Sequence, residues 1–135
     1  MIGAIAGDMI GSSIEFLMTP IKTKDFSLFT PESEFTDDSV ASCAIARAIL
    51  TDKNYGENLH SLGRYYIYNP EGKKHDCGWG KSFYLWLVSS NPQPYNSFGN
   101  GSAMRVSPVG WAFDTEEEIL ENARLSALPS HNHPE

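Results

Sequence analysis

The chain has 135 residues, of which 41% are hydrophobic and 20% charged, and its formal net charge is −7. This length and composition predict one globular domain with a modest core. The acidic balance argues against general binding to nucleic-acid backbones, which requires clustered lysine and arginine.

The cysteines and the N-terminal sequence together predict the cellular compartment of the protein. Cys43 and Cys77 lie far apart and lack the spacing of a paired motif, so we expect reduced thiols. The apolar N-terminal stretch has no basic leader and is interrupted by Asp8 and Glu15, which excludes a signal peptide and a membrane span. We therefore expect a cytoplasmic protein that does not associate with membranes.

The first half of the chain carries three predicted helices. Apolar residues recur at helical spacing over residues 2–15, whereas residues 38–51 are apolar almost all round and are expected to be buried. Residues 57–68 form a further helix with an apolar stripe. Residues 19–36 contain prolines and no steady period, which indicates a long functional loop.

Three glycines, Gly3, Gly7 and Gly11, form a bare stripe on the first predicted helix. Each glycine costs a helix about 1 kcal/mol, so the stripe suggests close approach by a backbone or a ligand. Asp8 and Glu15 are close to two turns apart and are expected to share one face. That face is either solvated or part of a site.

The second half contains shorter predicted elements. Residues 69–78 and 90–101 are predicted loops, and residues 79–89 form a helix with aromatic side chains on one face. Residues 102–113 predict a short helix that bends or ends near Pro108.

The last predicted helix begins at Glu116, with Asp114 or Thr115 as its cap and Thr115 and Glu118 at capping-box spacing. No segment alternates apolar and polar residues as a half-buried strand does. The fold class is therefore predicted to be all-α.

Two adjacent acids, Asp37 and Asp38, follow Thr36 at the start of the buried helix. One interpretation is capping, because Thr and Asp are preferred there and acids suit the positive end of the helix dipole. The other is a metal site, because neighbouring carboxylates and a hydroxyl offer hard oxygens that favour Mg²⁺, Mn²⁺ or Ca²⁺. Both interpretations remain open on spacing alone.

A glycine-containing segment, residues 97–105, joins the second loop to a helix start. Small residues let backbone N–H groups approach an anion, and a helix N-terminus favours phosphate, although such turns are often only turns. His131 and His133 are spaced by two and do not share a helical face, so a histidine that contacts a ligand or solvent is favoured over a zinc site.

The order of these segments resembles that of the ADP-ribosylglycohydrolase family. The matching stretches cover essentially the whole chain and read GAIAGDMIGSSIEF, FTDDSV, SFGNGSAMRVSPVGW and SHNHPE. The resemblance implies an all-α orthogonal multi-helix bundle with two Mg²⁺ ions at its centre, for which Mn²⁺ is an alternative. It also implies hydrolysis of the bond that joins ADP-ribose to an acceptor side chain or a related leaving group.

The resemblance also assigns residue roles by position. Thr36, Asp37 and Asp38 are implied as metal ligands. Glu15 is implied as an acid near the reacting ribose and forms the catalytic group with the two aspartates. Arg105 belongs to the same motif, with a purely structural role as the alternative. The residues implied to hold the ribose, diphosphate and nucleotide are Gly99, Asn100, Gly101, Ser102, Met104 and His131.

The chain departs from the family pattern in one respect. The family's second ligand cluster, D-x-D-[TS], has no counterpart after residue 38. The resemblance therefore implies that residues 1–135 are the N-terminal portion of a single, truncated domain, inactive alone because half a metal shell binds Mg²⁺ weakly. Half a bundle exposes apolar surface, so we expect self-association or association with a missing C-terminal half.

The function implied is that of a magnesium-dependent hydrolase that removes ADP-ribose from a modified protein or a related ADP-ribosyl substrate. The alternatives are a non-catalytic ADP-ribose-binding module and a structural helical module. The expected partners are an ADP-ribosylated protein or an ADP-ribose-type small molecule.

Overall fold

A computed structural model describes residues 1–15, 17, 19, 21–69 and 77–134. The described residues contain seven helices and no strand, which confirms the predicted all-α class. None of these helices has the length and apolar character that a bilayer crossing requires. In chain order they are α1 (Ile2–Glu15), α2 (Asp37–Leu50), α3 (Tyr55–Tyr68), α4 (Lys81–Val88), α5 (Gly101–Met104), α6 (Val109–Ala112) and α7 (Glu116–Ala127).

The predicted helices agree with the observed ones except around Pro108. There the single helix predicted for residues 102–113 is broken into α5 and α6, and Pro108 is the residue that caps α6. Proline suits a helix start because it has no N–H to leave unpaired. Most of the loop predicted at 69–78 lies outside the described residues, as do three residues at 16, 18 and 20 near the start of the first predicted loop.

Helix α2 lies at the centre of the fold. Its small side chains Ala41, Ala44 and Ala48 and the larger Ile45 are buried, which confirms the predicted burial of this segment. Leu50, at the end of the helix, is 84% exposed and marks where the buried surface stops. Small side chains let other helices approach closely, and the core is completed by residues of α3, α4 and α6: Leu59, Trp86, Leu87 and Val109.

Helices α3 and α4 meet at Gly63 and Leu87. A Cβ atom built on Gly63 would lie 2.5 Å from Cδ2 of Leu87, closer than any real contact. Leu87 is completely buried, so its side chain has little room to move away. The missing side chain at Gly63 therefore lets α4 pack directly against α3.

Helix α1 packs only lightly, and none of its residues is fully buried. Nothing among the described residues lies within 4 Å of a Cβ built on Gly3, Gly7 or Gly11. The expected close approach to the glycine stripe is therefore wrong for the described structure. Ile5 and Met9, on a different face of α1, line a groove together with Phe35, Val40 and Leu62.

Helix α7 begins as predicted. The hydroxyl of Thr115 accepts a hydrogen bond from the N–H of Glu118 at 3.2 Å. A buried hydrogen bond from the hydroxyl of Tyr55 to Oδ1 of Asn122, at 2.7 Å, fixes α7 against α3. Helix α7 also contacts α5, which lies in the glycine-containing segment.

Candidate active site

The start of α2 is held by Asp8 of α1. The Asp8 carboxylate accepts hydrogen bonds from the backbone N–H of Thr36 at 2.8 Å and from the N–H of Ser39 at 3.1 Å. It also accepts bonds from both hydroxyls of these residues. Nearby, the N–H of Glu34 donates a hydrogen bond to the hydroxyl oxygen of Ser12 at 3.0 Å. Helix α1 therefore fixes the segment that carries the two adjacent acids.

Thr36 is the residue that caps α2. Its backbone is extended, and its hydroxyl oxygen accepts a bond from the N–H of Asp38 at 3.4 Å. The N–H of Asp37 donates to the carbonyl of Cys77 at 2.7 Å. The capping interpretation is therefore confirmed for Thr36, and it leaves the carboxylates of Asp37 and Asp38 available for another role.

Four carboxylates crowd this end of α2, on Asp8, Glu15, Asp37 and Asp38. Burial raises the pKa of Asp37 to about 7, and repulsion from Asp38, Glu15 and Asp8 adds to the increase. Burial and the charge of Asp8 raise the pKa of Asp38. The pKa of Glu15 is raised by partial burial and by the charges of Asp38 and Asp8. Each acid therefore disfavours a negative charge on its neighbours.

Within the described ranges no lysine or arginine forms an ion pair with these four acids. No three Asp, Glu, His or Cys side chains of the described residues converge closely enough to enclose an ion. Among the described residues the cluster thus concentrates negative charge without a paired cation, and such a region would attract one.

A cleft of about 450 Å³ opens beside Asp37. This volume lies in the usual range for small-molecule sites. Several sequence-predicted residues line it together, namely Asp37, Gly99, Asn100, Gly101, Met104 and His131. The fold thereby brings one metal-ligand candidate and five substrate-binding candidates to one site. These residues are separated by up to 94 positions in the sequence.

The glycine loop, residues 96–101, is fixed on the segment that follows α7. Asn96 adopts a left-handed backbone conformation, with φ of 49°, which asparagine tolerates better than most residues. The N–H of Asn96 donates to Oδ1 of Asn132 at 2.8 Å, and the N–H of Ser97 donates to the carbonyl of Ser130 at 2.9 Å. Nε2 of His131 lies 2.8 Å from the carbonyl oxygen of Gly99. The loop is thus attached at three points.

Arg105 is 1% exposed and organises the C-terminal end of α7. Its Nη2 atom donates to the carbonyl of Ser126 and the hydroxyl of Ser130, both at 2.9 Å. Burial lowers the pKa of Arg105 to about 10, so the guanidinium remains charged at neutral pH. Carbonyls at a helix C-terminus favour a cation, which offsets part of the cost of burying it. The structural role of Arg105 is therefore observed, although its side chain also borders the cleft.

The remaining sequence-predicted residues, Glu15, Thr36, Asp38 and Ser102, do not line the cleft. Glu15, at the end of α1, and Asp38 belong to the acidic cluster, and Thr36 lies beneath it as the cap. Ser102 lies on α5, one residue beyond the part of the glycine loop that lines the cleft. Helix α5 has only four residues, so the helix dipole expected to favour phosphate is small here.

Sequence reasoning missed several residues of the site. Asp8 was indicated only as an acid on a face that is either solvated or part of a site, and its partners, which lie 28 and 31 positions away, were not predicted. Lys81, Phe83, Tyr95 and Phe98 line the cleft, and no local pattern distinguishes them from ordinary surface or core residues. Phe98 is 89% exposed, which is unusual for a large apolar ring. This exposure marks Phe98 as a candidate binding residue, but it is visible only in the structure.

A sequence model of the ADP-ribosylglycohydrolase family matches residues 1–135, so the chain belongs to the ADP-ribosylglycohydrolase family. ADP-ribosylhydrolase ARH3 of Xenopus tropicalis is 27% identical to it over 156 residues, which covers 97% of this chain. The ARH3 proteins of Homo sapiens and Mus musculus are 26% and 24% identical over 159 residues, covering 96% of it. The chain spans 43% of the length of the first relative and 42% of the other two. No solved structure matches it significantly.

Proposed function

We propose that this chain supplies the nucleotide-binding face and one metal-binding face of a hydrolase that removes ADP-ribose from a modified protein or a related ADP-ribosyl substrate. The observation that carries the proposal is the cleft in which Asp37 lies together with the glycine loop and His131. The family membership and the ARH3 relatives support the same substrate class.

The cleft has the chemistry that ADP-ribose requires. Gly99 and Gly101 line the cleft without a side chain to cover their backbone, and Lys81, which carries a positive charge, borders the same space. A diphosphate is recognised by backbone N–H groups and by cations. Tyr95 and Phe98 line the cleft as well, and aromatic rings of this kind can stack on a base. We assign the diphosphate and nucleoside to this side and the reacting ribose to the side of Asp37.

The donor atoms at the start of α2 fit Mg²⁺, and Mn²⁺ is an alternative. Thr36, Asp37 and Asp38 offer one hydroxyl and two carboxylates, and the crowding of acids leaves a negative charge that a divalent cation would neutralise. Mg²⁺ usually binds through one or two carboxylates and completes its shell with water and substrate oxygens. The lack of a three-acid cluster among the described residues is compatible with such a site. When bound, the metal supplies Lewis-acid activation of a water or a ribose hydroxyl.

The acids of the cluster are suited to proton transfer at a glycosidic bond. Cleavage of that bond passes through an oxocarbenium-like state that carboxylates stabilise. Partial burial and the charges of Asp38 and Asp8 raise the pKa of Glu15, which favours its protonated form relative to an ordinary carboxyl and suits a proton donor. Asp37 and Asp38 orient the reacting ribose and stabilise the positive charge that develops on it.

We further propose that complete activity needs protein ligands beyond those described here, supplied by more of the same polypeptide or by a partner chain. The support is that the chain spans less than half the length of its relatives and that no three Asp, Glu, His or Cys side chains of its described residues converge to hold a metal. Residues 1–135 would then be the N-terminal portion of a single domain.

Apolar side chains on the surface are compatible with association, either with that remainder or between copies. Ile2, Leu50 and Trp111 are each more than 80% exposed. A cytoplasmic location is also proposed, supported by Cys43 and Cys77, neither of which forms a disulfide within the described residues.

The test combines binding and turnover. Calorimetric titration of ADP-ribose into the chain, with MgCl₂ in large excess to offset weak metal binding, should give binding that weakens when EDTA replaces the MgCl₂. Asp37→Asn or Asp38→Asn should abolish the magnesium dependence, whereas Asp114→Asn, the same chemical change at an exposed acid outside the cleft, should preserve it. Release of ADP-ribose from an ADP-ribosylated peptide is then measured with the full-length gene product. Absence of release would reject the hydrolase.

A non-catalytic ADP-ribose-binding module is the second candidate. It is favoured by the incomplete metal shell in the described part of the chain. Under this alternative, ADP-ribose binds equally well with EDTA and with MgCl₂, and no turnover appears in the full-length protein. A purely structural helical module would show neither binding nor turnover.

A further inference from the structure

A series of hydrogen bonds connects the buried interior to the glycine loop. Nη2 of Arg105 lies 2.9 Å from Oγ of Ser130, which lies 2.8 Å from Nδ1 of the neighbouring His131. The other ring nitrogen, Nε2, lies 2.8 Å from the carbonyl oxygen of Gly99. Arg105 and Ser130 are fully buried, whereas Gly99 lines the cleft. The series therefore runs from the core to the backbone that faces the ligand.

Donor and acceptor chemistry gives this series one direction. A guanidinium only donates and a backbone carbonyl only accepts. Ser130 accepts from Arg105, so its own proton is available to Nδ1 of His131. Nε2 must then carry a hydrogen, because its partner is the carbonyl of Gly99. Whenever the imidazole is neutral, these partners together favour the tautomer with its hydrogen on Nε2.

We propose that Ser130 is a positioning residue: it selects the Nε2–H tautomer of His131 and through it fixes the Gly99 carbonyl and the glycine loop for nucleotide binding. The identity of the ligand rests on the proposed function, whereas the tautomer does not. Ser130 is completely buried and is not among the described residues that line the cleft, so it acts on a ligand only through His131.

The attachments that remain without the Ser130 hydroxyl define the expected effect. The backbone of Ser130 still accepts from the N–H of Ser97, and Asn132 still accepts from the N–H of Asn96. Arg105 also keeps the carbonyl of Ser126. Loss of the hydroxyl should therefore leave the fold intact and free the imidazole to change tautomer and orientation.

Ser130→Ala tests the proposal, and Ser126→Ala is its matched control. Both serines are completely buried, but the hydroxyl of Ser126 donates only to the carbonyl of Ala123 in its own helix. Long-range ¹H–¹⁵N NMR at about pH 8 separates the two neutral tautomers, because protonated and unprotonated ring nitrogens differ in chemical shift. The wild-type chain and Ser126→Ala should show Nε2–H, and Ser130→Ala should show a mixture. A wild-type spectrum dominated by Nδ1–H would overturn the proposal whatever the variants do.

Binding gives the second measurement. Ser130→Ala should weaken ADP-ribose binding by about tenfold, the effect of one lost hydrogen bond, and Ser126→Ala should not. His131→Gln, which keeps an N–H donor near the Nε2 position, should retain more affinity than His131→Asn. Unchanged affinity in Ser130→Ala, with wild-type binding intact, would refute the positioning role. A wild-type chain that binds no ADP-ribose would instead reject the proposed function, and the tautomer would still be decided by NMR.

Discussion

Asp8 and Thr36 lie 28 positions apart and are joined by two hydrogen bonds, from the N–H of Thr36 at 2.8 Å and from its hydroxyl at 2.5 Å. Since Thr36 also caps α2, the carboxylate of Asp8 acts as an anchor behind the cap. The position of the two acids that follow therefore depends on a residue from a different helix.

Asp8→Asn should destabilise the chain by roughly 1–3 kcal/mol, because an amide places N–H groups against donors that need an acceptor. Three donors, from Thr36 and Ser39, converge on Oδ2 alone. Urea unfolding followed by circular dichroism measures the change. Asp25→Asn, at an exposed acid, is the control and should shift stability by less than about 0.5 kcal/mol. Equal stability of the two variants would contradict the anchoring role.

The crowded acids predict an unusual dependence of stability on pH when no metal is present. The pKa of Asp37 is about 7 in the folded chain and 3.8 as an ordinary aspartate, and those of Asp38 and Glu15 shift in the same direction. The folded chain therefore binds protons more tightly than the unfolded chain. This contribution to stability is complete below pH 3.8 and is lost as pH rises through about 7.

Asp37→Asn should reduce the loss of folding stability that accompanies rising pH. With EDTA present, the Tm of the wild-type chain should fall between about pH 5 and 8 by about 3–5 °C more than the Tm of Asp37→Asn. This range corresponds to roughly 1 kcal/mol in a domain of this size, after allowance for solvent screening of a partly exposed group. Differential scanning fluorimetry across the pH series measures it, with Asp114→Asn as a control that should follow the wild type.

Gly101→Ala should weaken ADP-ribose binding without unfolding the chain. A Cβ at Gly101 would lie 3.6 Å from Cε1 of His131, an ordinary contact that the fold tolerates. The methyl group would nevertheless occupy the cleft, and we expect about a tenfold loss of affinity by calorimetry. Gly110→Ala adds the same group where nothing lies within 4 Å and should bind normally. Normal binding by both variants would argue that the ligand lies elsewhere.

Gly63→Ala should lower the free energy of unfolding by roughly 1–3 kcal/mol relative to Gly110→Ala. Alanine favours a helix at both positions, so the comparison isolates the clash with Leu87. Urea unfolding measures the difference. If the two variants are equally stable, Leu87 has more freedom than its complete burial indicates.

Features that depend on neighbouring residues were predicted well from the sequence. Thr36 and Thr115 were both predicted at helix starts because capping is a local preference, and both cap their helices. Pro108 was expected to bend or end a helix, and it separates α5 from α6. The glycine loop and His131 were assigned by resemblance, and the structure brings them to one cleft with Asp37.

Features that depend on tertiary packing were not predictable in this way. The bonds of Asp8 to the start of α2 join residues from separate helices, and no local spacing encodes them. The glycine stripe of α1 suggested a neighbour that the described residues do not provide, whereas the essential glycine, Gly63, belongs to no stripe. Whether a glycine meets another backbone depends on how helices cross, which sequence period alone does not specify.

Helix α1 contributes Glu15 to the acidic cluster, yet it has no fully buried side chain. Segments with few buried apolar contacts open locally at a lower free energy than the whole domain unfolds. Detachment of α1 would withdraw Glu15 and release the anchor at Asp8 in the same event. Amide protons of α1 should accordingly exchange faster than those of α2, and any ligand that touches both helices would slow that exchange.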